Sequence, residues 1–307
     1  MCIRDSIWGF AFVAQRMGME YVGPYLFNAA RFALGCLPLL PFVAQNASGP
    51  LLPHLLRAAP GSLLAGLFLF AGSSLPVTRR MPSIDMPHNV PLKESVCVAY
   101  GGVDSYDIHA LETAQCMSER RRGGEVGIRQ VHAIRGVKVW ERLSEDRHTD
   151  TRRLVVSALT RSHNLPVEGG YYTGKITYEW ARRTFPNPVA YFIDHNDGFR
   201  TTMMLTSIRD FNYAGLRADN GEIVSTQMYL PMPTHGSSTA DFFHPLCRHI
   251  EDAVITGKVP YPAERTLLTS GMTLAGVESL HRGQVPIKTP QMDVRYSVGP
   301  QSTYWLD

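Results

Sequence analysis

The residues best suited to chemistry lie in one run, Gly101-Gly102-Val103-Asp104-Ser105-Tyr106-Asp107-Ile108-His109-Ala110-Leu111-Glu112. A strand end, two glycines and a helix start meet there. On that helix His109 and Glu112 stand three residues apart and so share a face. An imidazole that moves a proton beside a carboxylate that orients it is a workable acid–base pair. The same run also reads as a polar helix start with a solvated histidine.

The other candidates are weaker. His244, Cys247 and His249 sit at i, i+3 and i+5, a spacing that a helix turns to different sides, and no fourth ligand is near, so no metal site is expected. Asp194-x-Asn196-Asp197-Gly198 resembles a calcium loop only superficially, with its glycine one place early and no glutamate at the twelfth position. The run Arg120-Arg121-Arg122 suits the C-terminal dipole of the preceding helix, with a phosphate patch as the alternative. No dinucleotide fingerprint, phosphate loop, nucleophile elbow or zinc-protease motif occurs.

The elements that must position these residues are read from periodicity and turn chemistry. Ser95–Tyr100 is a buried strand, and a helix is expected from about Tyr106 to Arg122, ended by Gly123-Gly124. Gly127 to Trp140 reads as a strand, a charged helix follows to Leu159, and Gly169-Gly170-Tyr171-Tyr172 reads as a loop. Val189–Ile193 and Phe199–Leu205 flank an Asp-Gly turn and form a hairpin; Asp210–Ala214 and Ile223–Tyr229 form another across Asn220-Gly221. Two amphipathic helices close the chain, about Thr239 to Thr256 and Pro262 to Arg282, with Gly257 and Gly283 at their ends. The fold class expected is α+β: a mostly antiparallel sheet with helices on one face, preceded by two to three hydrophobic helices.

The composition changes at Phe70-Ala71-Gly72-Ser73-Ser74-Leu75-Pro76. Between Ile7 and Leu75 the only charged side chains are Arg16, Glu20, Arg31 and Arg57, whereas charges recur throughout the remainder. Tyr25 to Ala44 is long and apolar enough to be a membrane-span candidate, and Ile7–Gln15 and Leu63–Ala71 are shorter apolar runs. Pro76, Pro82, Pro87 and Pro91 then hold the backbone extended, as in a connector. With 30 Lys and Arg against 27 Asp and Glu the chain lacks the basic excess of a nucleic-acid binder. Five scattered cysteines without a C-x-x-C pair suggest neither a disulfide framework nor a zinc ribbon, and the larger part reads as cytoplasmic with reduced thiols.

Two resemblances follow from quoted residues. Trp8-Gly9-x-Ala11-Phe12, Gly23-Pro24-Tyr25-Leu26-Phe27-Asn28, Arg31-Phe32 and Leu69-Phe70-Ala71-Gly72 resemble the first helices of EamA-type drug/metabolite transporters. Asp241-Phe242-Phe243-His244-Pro245-Leu246, Gly257-Lys258-Val259-Pro260, Glu264-Arg265-Thr266-Leu267-Leu268 and Ser279-Leu280-His281-Arg282-Gly283 resemble the last helices of the glucose-fructose oxidoreductase (Gfo/Idh/MocA) family. Tyr100-Gly101-Gly102 and His109-Ala110-Leu111-Glu112 resemble an uncharacterised branch of the same dehydrogenase-like proteins.

The second resemblance implies NAD(P)-dependent oxidation of a sugar or polyol hydroxyl. His109 matches the family's histidine, Ser105 stands where its aspartate partner is usual, and Glu112 stands where a substrate-side aspartate is usual. The nucleotide-binding half would precede Pro76, so no cofactor is expected on this chain, and NAD or NADP belongs to the intact parent. The divisions expected are 1–75, a transporter-like membrane fragment; 76–92, a connector; and 93–307, a dehydrogenase C-terminal domain, the whole reading as a fusion at a shared Ala-Gly-Ser-Ser-Leu string. The partners expected are a sugar-like small molecule and a second copy of the chain through the open sheet face. Nucleic acid is not expected, and membrane contact only through 7–75.

Overall fold

The computed structural model describes residues 71–168, 171–172, 174–230 and 241–306, all within one compact unit, Phe68–Asp307. In chain order these residues form β1 (Arg80–Met81), β2 (Leu92–Tyr100), α1 (Asp107–Ser118), β3 (Ile128–Arg135), α2 (Val137–Leu143), α3 (Thr149–Leu159), β4 (Val167–Glu168), β5 (Tyr171–Tyr172), α4 (Tyr178–Thr184), β6 (Val189–His195), β7 (Arg200–Thr206), β8 (Phe211–Arg217), β9 (Ile223–Met228), α5 (His244–Thr256), α6 (Glu264–His281) and β10 (Ile287–Lys288). Eight strands make one sheet in the order β1-β9-β8-β2-β7-β6-β3-β10. Its pairings are antiparallel except that of β2 with β7, so the expected mostly antiparallel α+β fold is what forms.

The expectation of helices on one face is corrected. Along β2, Cys97 and Ala99 enter a core shared with α1 and α6, while Val96 and Val98 enter a second core made with α2, α3 and α4. Because successive side chains of a strand point to opposite faces, the unbroken apolar run Val96–Ala99 is the mark of a strand covered twice. Tyr191 and Ile193 of β6 likewise face the first core, and Ala190 and Phe192 the second. Among the described residues both faces of the sheet are therefore occupied.

Several boundaries also move. Gly127–Trp140 is not one strand: β3 ends at Arg135, Gly136 takes a positive φ, and Val137–Leu143 turns into α2. Tyr171–Tyr172 is not a plain loop but pairs with Val167–Glu168. The stretch read as a connector packs in place, with Val77 and Met86 fully buried and β1 paired to β9. The two hairpins form as expected, β6–β7 across Asn196-Asp197-Gly198 and β8–β9 across Asn220-Gly221. The apolar runs before residue 71 and the transporter-like fragment lie outside the described residues; among the described residues no helix is long and apolar enough to cross a membrane.

The arginine run does not close α1, which ends at Ser118. Arg121 turns inward and donates through both terminal nitrogens to Glu125, each at 3.1 Å, and through Nε to Asp197 at 2.9 Å. Glu125 also accepts from Gln115 (2.7 Å), from its neighbours' backbone N–H groups at Val126 (2.9 Å) and Gly127 (3.0 Å), and pairs with His195 Nδ1 (3.1 Å). This buried node ties the end of α1 to β3 and to the β6–β7 hairpin. Asp197 is thereby spent on Arg121 and on the Phe199 N–H, which leaves the calcium-like string a turn.

On the other face His148 is buried beside Phe192, its Nδ1 3.2 Å from Thr151 Oγ1 and its Nε2 without a partner among the described residues. Burial, helped by Arg142, Arg147 and Arg200, pushes it down from 6.5 to about 4. The folded state therefore binds its proton later than the unfolded chain, so stability should fall as pH drops from about 6.5 towards 4. Urea unfolding across that window should show this slope, and His148→Phe, which keeps the ring packing, should flatten it.

Candidate functional site

The site lies at the end of the sheet where β2 and β7 finish and β8 begins. There Tyr100 N–H donates to Asp210 O (3.0 Å) and Gly101 N–H to Thr206 O (3.3 Å), which fixes the start of α1 against the β7–β8 loop. A cleft of ≈ 560 Å³ opens beside this junction, a size suited to a small molecule. Its walls are aromatic: Tyr100, Tyr106, Phe211 and Tyr229, with Phe242 and Phe243 from the turn ahead of α5. The polar groups between them include Ser73, His109, His163, Asn164 and Gln227, and Arg209 and Asp210 add one charge of each sign.

His109 is half-buried, projecting from the first turns of α1 between Tyr106 and Phe211, whose rings lie 6.0 and 6.3 Å from its own. Its Nδ1 is 2.8 Å from Ser73 Oγ, which itself accepts the Leu75 N–H at 3.1 Å. Burial lowers the imidazole's pKa from the ordinary 6.5, against an opposing pull from Asp107. At neutral pH the ring is therefore uncharged. Its Nε2, with no hydrogen bond among the described residues, can donate to or accept from a ligand hydroxyl according to its tautomer.

Ser73 reaches this position because Gly72 lets the chain run close beneath α1 and α6. A Cβ on Gly72 would stand 2.7 Å from Thr266 Oγ1 and 2.9 Å from Glu112 Oε2. Thr266 Oγ1 donates to Ala71 O at 2.8 Å and fastens the segment.

Of the three residues singled out in the sequence, the structure places only His109 in the cleft. Glu112 is fully buried behind the Ala71–Ser73 segment, taking a 2.6 Å hydrogen bond from Thr269 on α6. Burial raises its carboxyl's pKa, while Arg265 and Thr269 oppose the rise. Glu112 therefore does not orient His109; Ser73 holds that place. Ser105 is exposed, and its hydroxyl donates to Gly102 O at 3.2 Å inside the turn. The spacing argument failed because i, i+3 residues share a helix face but lean by different amounts toward the packed neighbour.

Sequence reasoning missed the opposite wall. His163 Nδ1 pairs with the buried Gln227 Oε1, and its ring stands edge-on to Tyr229 at 6.2 Å. Asp210 accepts from Ser162 Oγ and from Asn164 Nδ2 (2.7 Å), which fixes the loop that carries His163. None of these contacts has a motif; each joins residues more than forty positions apart. Cys247 is exposed, and His249 Nε2 meets the Thr303 carbonyl at 2.7 Å. Among the described residues no group of three or more His, Cys, Asp or Glu is arranged to hold a metal.

The β2-Gly101-Gly102-α1 junction beside the cleft is one place where a dinucleotide's pyrophosphate could sit, since phosphates bind at strand–turn–helix junctions. It does not fit there. A Cβ on Gly101 would lie 2.4 Å from the Tyr106 ring, so the hollow over the glycine is already filled. The helix start is also closed by an anion: Asp107's carboxylate accepts from the N–H groups of Asp104 and Ile108, both at 3.1 Å.

No protein-family model matches the chain, and no curated protein matches it. Among solved structures it is similar to a putative myo-inositol dehydrogenase from Sinorhizobium meliloti 1021, at 12% identity and a TM-score of 0.35. A myo-inositol dehydrogenase from Corynebacterium glutamicum ATCC 13032 matches at 11% identity and a TM-score of 0.34. Each match covers 64% of this chain and 56% of the other, so the chain spans little more than half the length of these structures. A likeness at this level carries no argument about this chain.

Proposed function

We propose that the unit beginning near Phe68 is a substrate-binding domain that holds a small polyhydroxylated molecule, of the sugar or cyclic polyol class, in the cleft between His109 and His163. The observation that carries this reading is the pairing, within one ≈ 560 Å³ cleft, of aromatic walls with a neutral imidazole fixed by Ser73. Ring faces such as those of Tyr100, Tyr229 and Phe242 suit the C–H faces of a sugar-like ring, and uncharged donors and acceptors suit its hydroxyls. The oxidoreductase-like resemblance of the sequence points to the same ligand class. Removal of hydride from such a ligand is proposed for the parent protein and not for this unit, whose β2–α1 junction does not fit a pyrophosphate.

Calorimetric titration of the full-length chain with a panel of pyranoses and cyclic polyols should give saturable heat for at least one of them. His109→Ala should weaken that ligand about three- to tenfold, the worth of one hydrogen bond at roughly 0.5–1.5 kcal/mol. NADH added alone should leave its own fluorescence unchanged. Absence of saturable heat across the panel would overturn the proposal.

A further inference from the structure

A second cavity, of ≈ 370 Å³, lies at the C-terminal end of α1, bounded by the end of that helix, the start of α6 and the closing segment around Val298–Thr303. Its lining is dominated by three guanidinium groups. Arg80, Arg120 and Arg265 are all buried, at 5%, 7% and 2% exposure, and among the described residues Asp85 and Glu119 are the carboxylates that line the space with them. Asp85 serves two of the three, 2.5 Å from Arg80 Nη1 and 3.5 Å from Arg120 Nε, and Glu119 is taken by Arg265. Among the described residues of the lining, guanidiniums outnumber carboxylates by one. Cys116, also in the lining, does not offset the difference, because burial pushes its thiol up to about 12. The further carboxyl near Arg265, that of Glu112, is turned to Thr269 and lies outside the lining.

Among the described residues three nitrogens on these arginines have no hydrogen-bond partner, Arg80 Nε, Arg80 Nη1 and Arg265 Nη1, and of these Arg80 Nη1 lies against Asp85. Arg80 Nη2 reaches only the Pro76 carbonyl at 3.4 Å and Cys116 Sγ at 3.8 Å, both weak contacts. The guanidiniums are nevertheless held still, Arg80 over the Tyr304 ring at 4.3 Å and Arg265 over the Tyr261 ring at 3.9 Å. Arg120 is fixed by the carbonyls of Met86 (2.7 Å) and Pro300 (2.8 Å). A buried charge without its counter-charge is costly, and fixed guanidinium forks match the oxygens of a tetrahedral anion.

We propose that this cavity is a binding site for a small oxyanion of the phosphate class, either inorganic phosphate or a phosphomonoester. Arg80 Nε and Arg265 Nη1 supply the unmatched donors, and the segment Val298–Thr303 forms its outer wall. The site is separate from the aromatic cleft, and its existence does not depend on what that cleft binds.

The test is the ³¹P line width of inorganic phosphate titrated with the full-length chain, at ionic strength matched with chloride. Saturable broadening is expected. Arg80→Gln should reduce the affinity at least tenfold, whereas Arg209→Gln, which alters the aromatic cleft, should leave it unchanged. If Arg80→Gln does not fold, Arg80→Lys, which keeps the charge and lacks Nε, should show the same loss. Displacement of phosphate by glycerol phosphate would assign a phosphomonoester, and failure to displace it would assign the free ion. No saturable broadening with the unaltered chain, equal broadening with the Arg80 variants, or loss on Arg209→Gln would overturn the proposal.

Discussion

Replacing Glu125 with alanine is expected to cost the domain about 4 kcal/mol, the range measured when one member of a buried ion pair is removed. Such a loss is a large part of the roughly 5–15 kcal/mol that holds an ordinary domain together. The reason is the number of donors that converge on one carboxylate. Arg121 grips it bidentately, Gln115 and two backbone N–H groups point at it, and His195 closes the other side. Alanine would strand them all in a place without water, and a stranded buried donor loses its full desolvation energy. Burial by itself would raise this carboxyl's pKa, but His195 and Arg121 outweigh burial and hold it well below 4.5. A carboxyl with a depressed folded pKa contributes stability above its unfolded value and loses it as pH falls. The unaltered protein should therefore lose stability progressively below about pH 4.5, and the alanine variant should be less stable at neutral pH and less sensitive to acid. Urea unfolding at pH 7 and pH 4 measures both, and a neutral-pH cost under about 1 kcal/mol would show that the node is not buried as described.

Gly276→Ala tests how the site is propped from behind. By helix propensity alone the change in mid-α6 should stabilise by about 1 kcal/mol. The packing predicts the opposite sign, because a Cβ on Gly276 would stand 2.1 Å from Cε2 of the fully buried Tyr191. Overpacking of that kind costs up to about 3 kcal/mol, so a net loss of about 2 kcal/mol is expected. The effect should reach the cleft. Tyr191's hydroxyl donates to Asp107 at 2.9 Å, and Asp107, two residues before His109, holds the Asp104 N–H of the turn and the Ile108 N–H of α1. Displacing the tyrosine should thus weaken ligand binding as well as stability. Thermal melting and calorimetry on the same sample check the two together, and a stabilised variant would contradict the close approach.

What could be read from the sequence divides along physical lines. The β6–β7 and β8–β9 hairpins were legible because Asp-Gly and Asn-Gly select tight turns locally. The ends of α5 and α6 were legible because Gly257 and Gly283 stop a helix wherever it packs. By contrast, Val137 and Val139 look like the continuation of β3, and only the turn at Gly136 converts them to helix. The short α4 was missed although Thr177 caps it through the Trp180 N–H at 3.1 Å; seven residues carry too little periodicity to stand out. That Val96–Ala99 is covered on both sides was present in its unbroken apolar run and was read only as burial.

In the site, His109 was legible because a strand, two glycines and a helix start mark a junction. Ser73 was not, since it lies 36 residues upstream and meets His109 only after the chain folds back. The Ser-Ser-Leu-Pro string at 73–76 did carry a helix-start signal, and it begins the short turn Leu75–Val77. His163, Gln227 and Asp210 come together through tertiary contacts alone.

The central claim is that a neutral His109, set by Ser73, faces a polyhydroxylated ligand across the cleft from His163. Imidazole ¹⁵N resonances of the full-length chain, assigned with single His→Asn variants and followed while the best calorimetric ligand is added, test this most directly. His109 and His163 should move together along one saturation curve, with His109 uncharged throughout, while His195, sealed between Glu125 and Thr201, stays where it is. A ligand that binds while the His109 signal remains fixed, or that shifts His195 instead, would contradict the account.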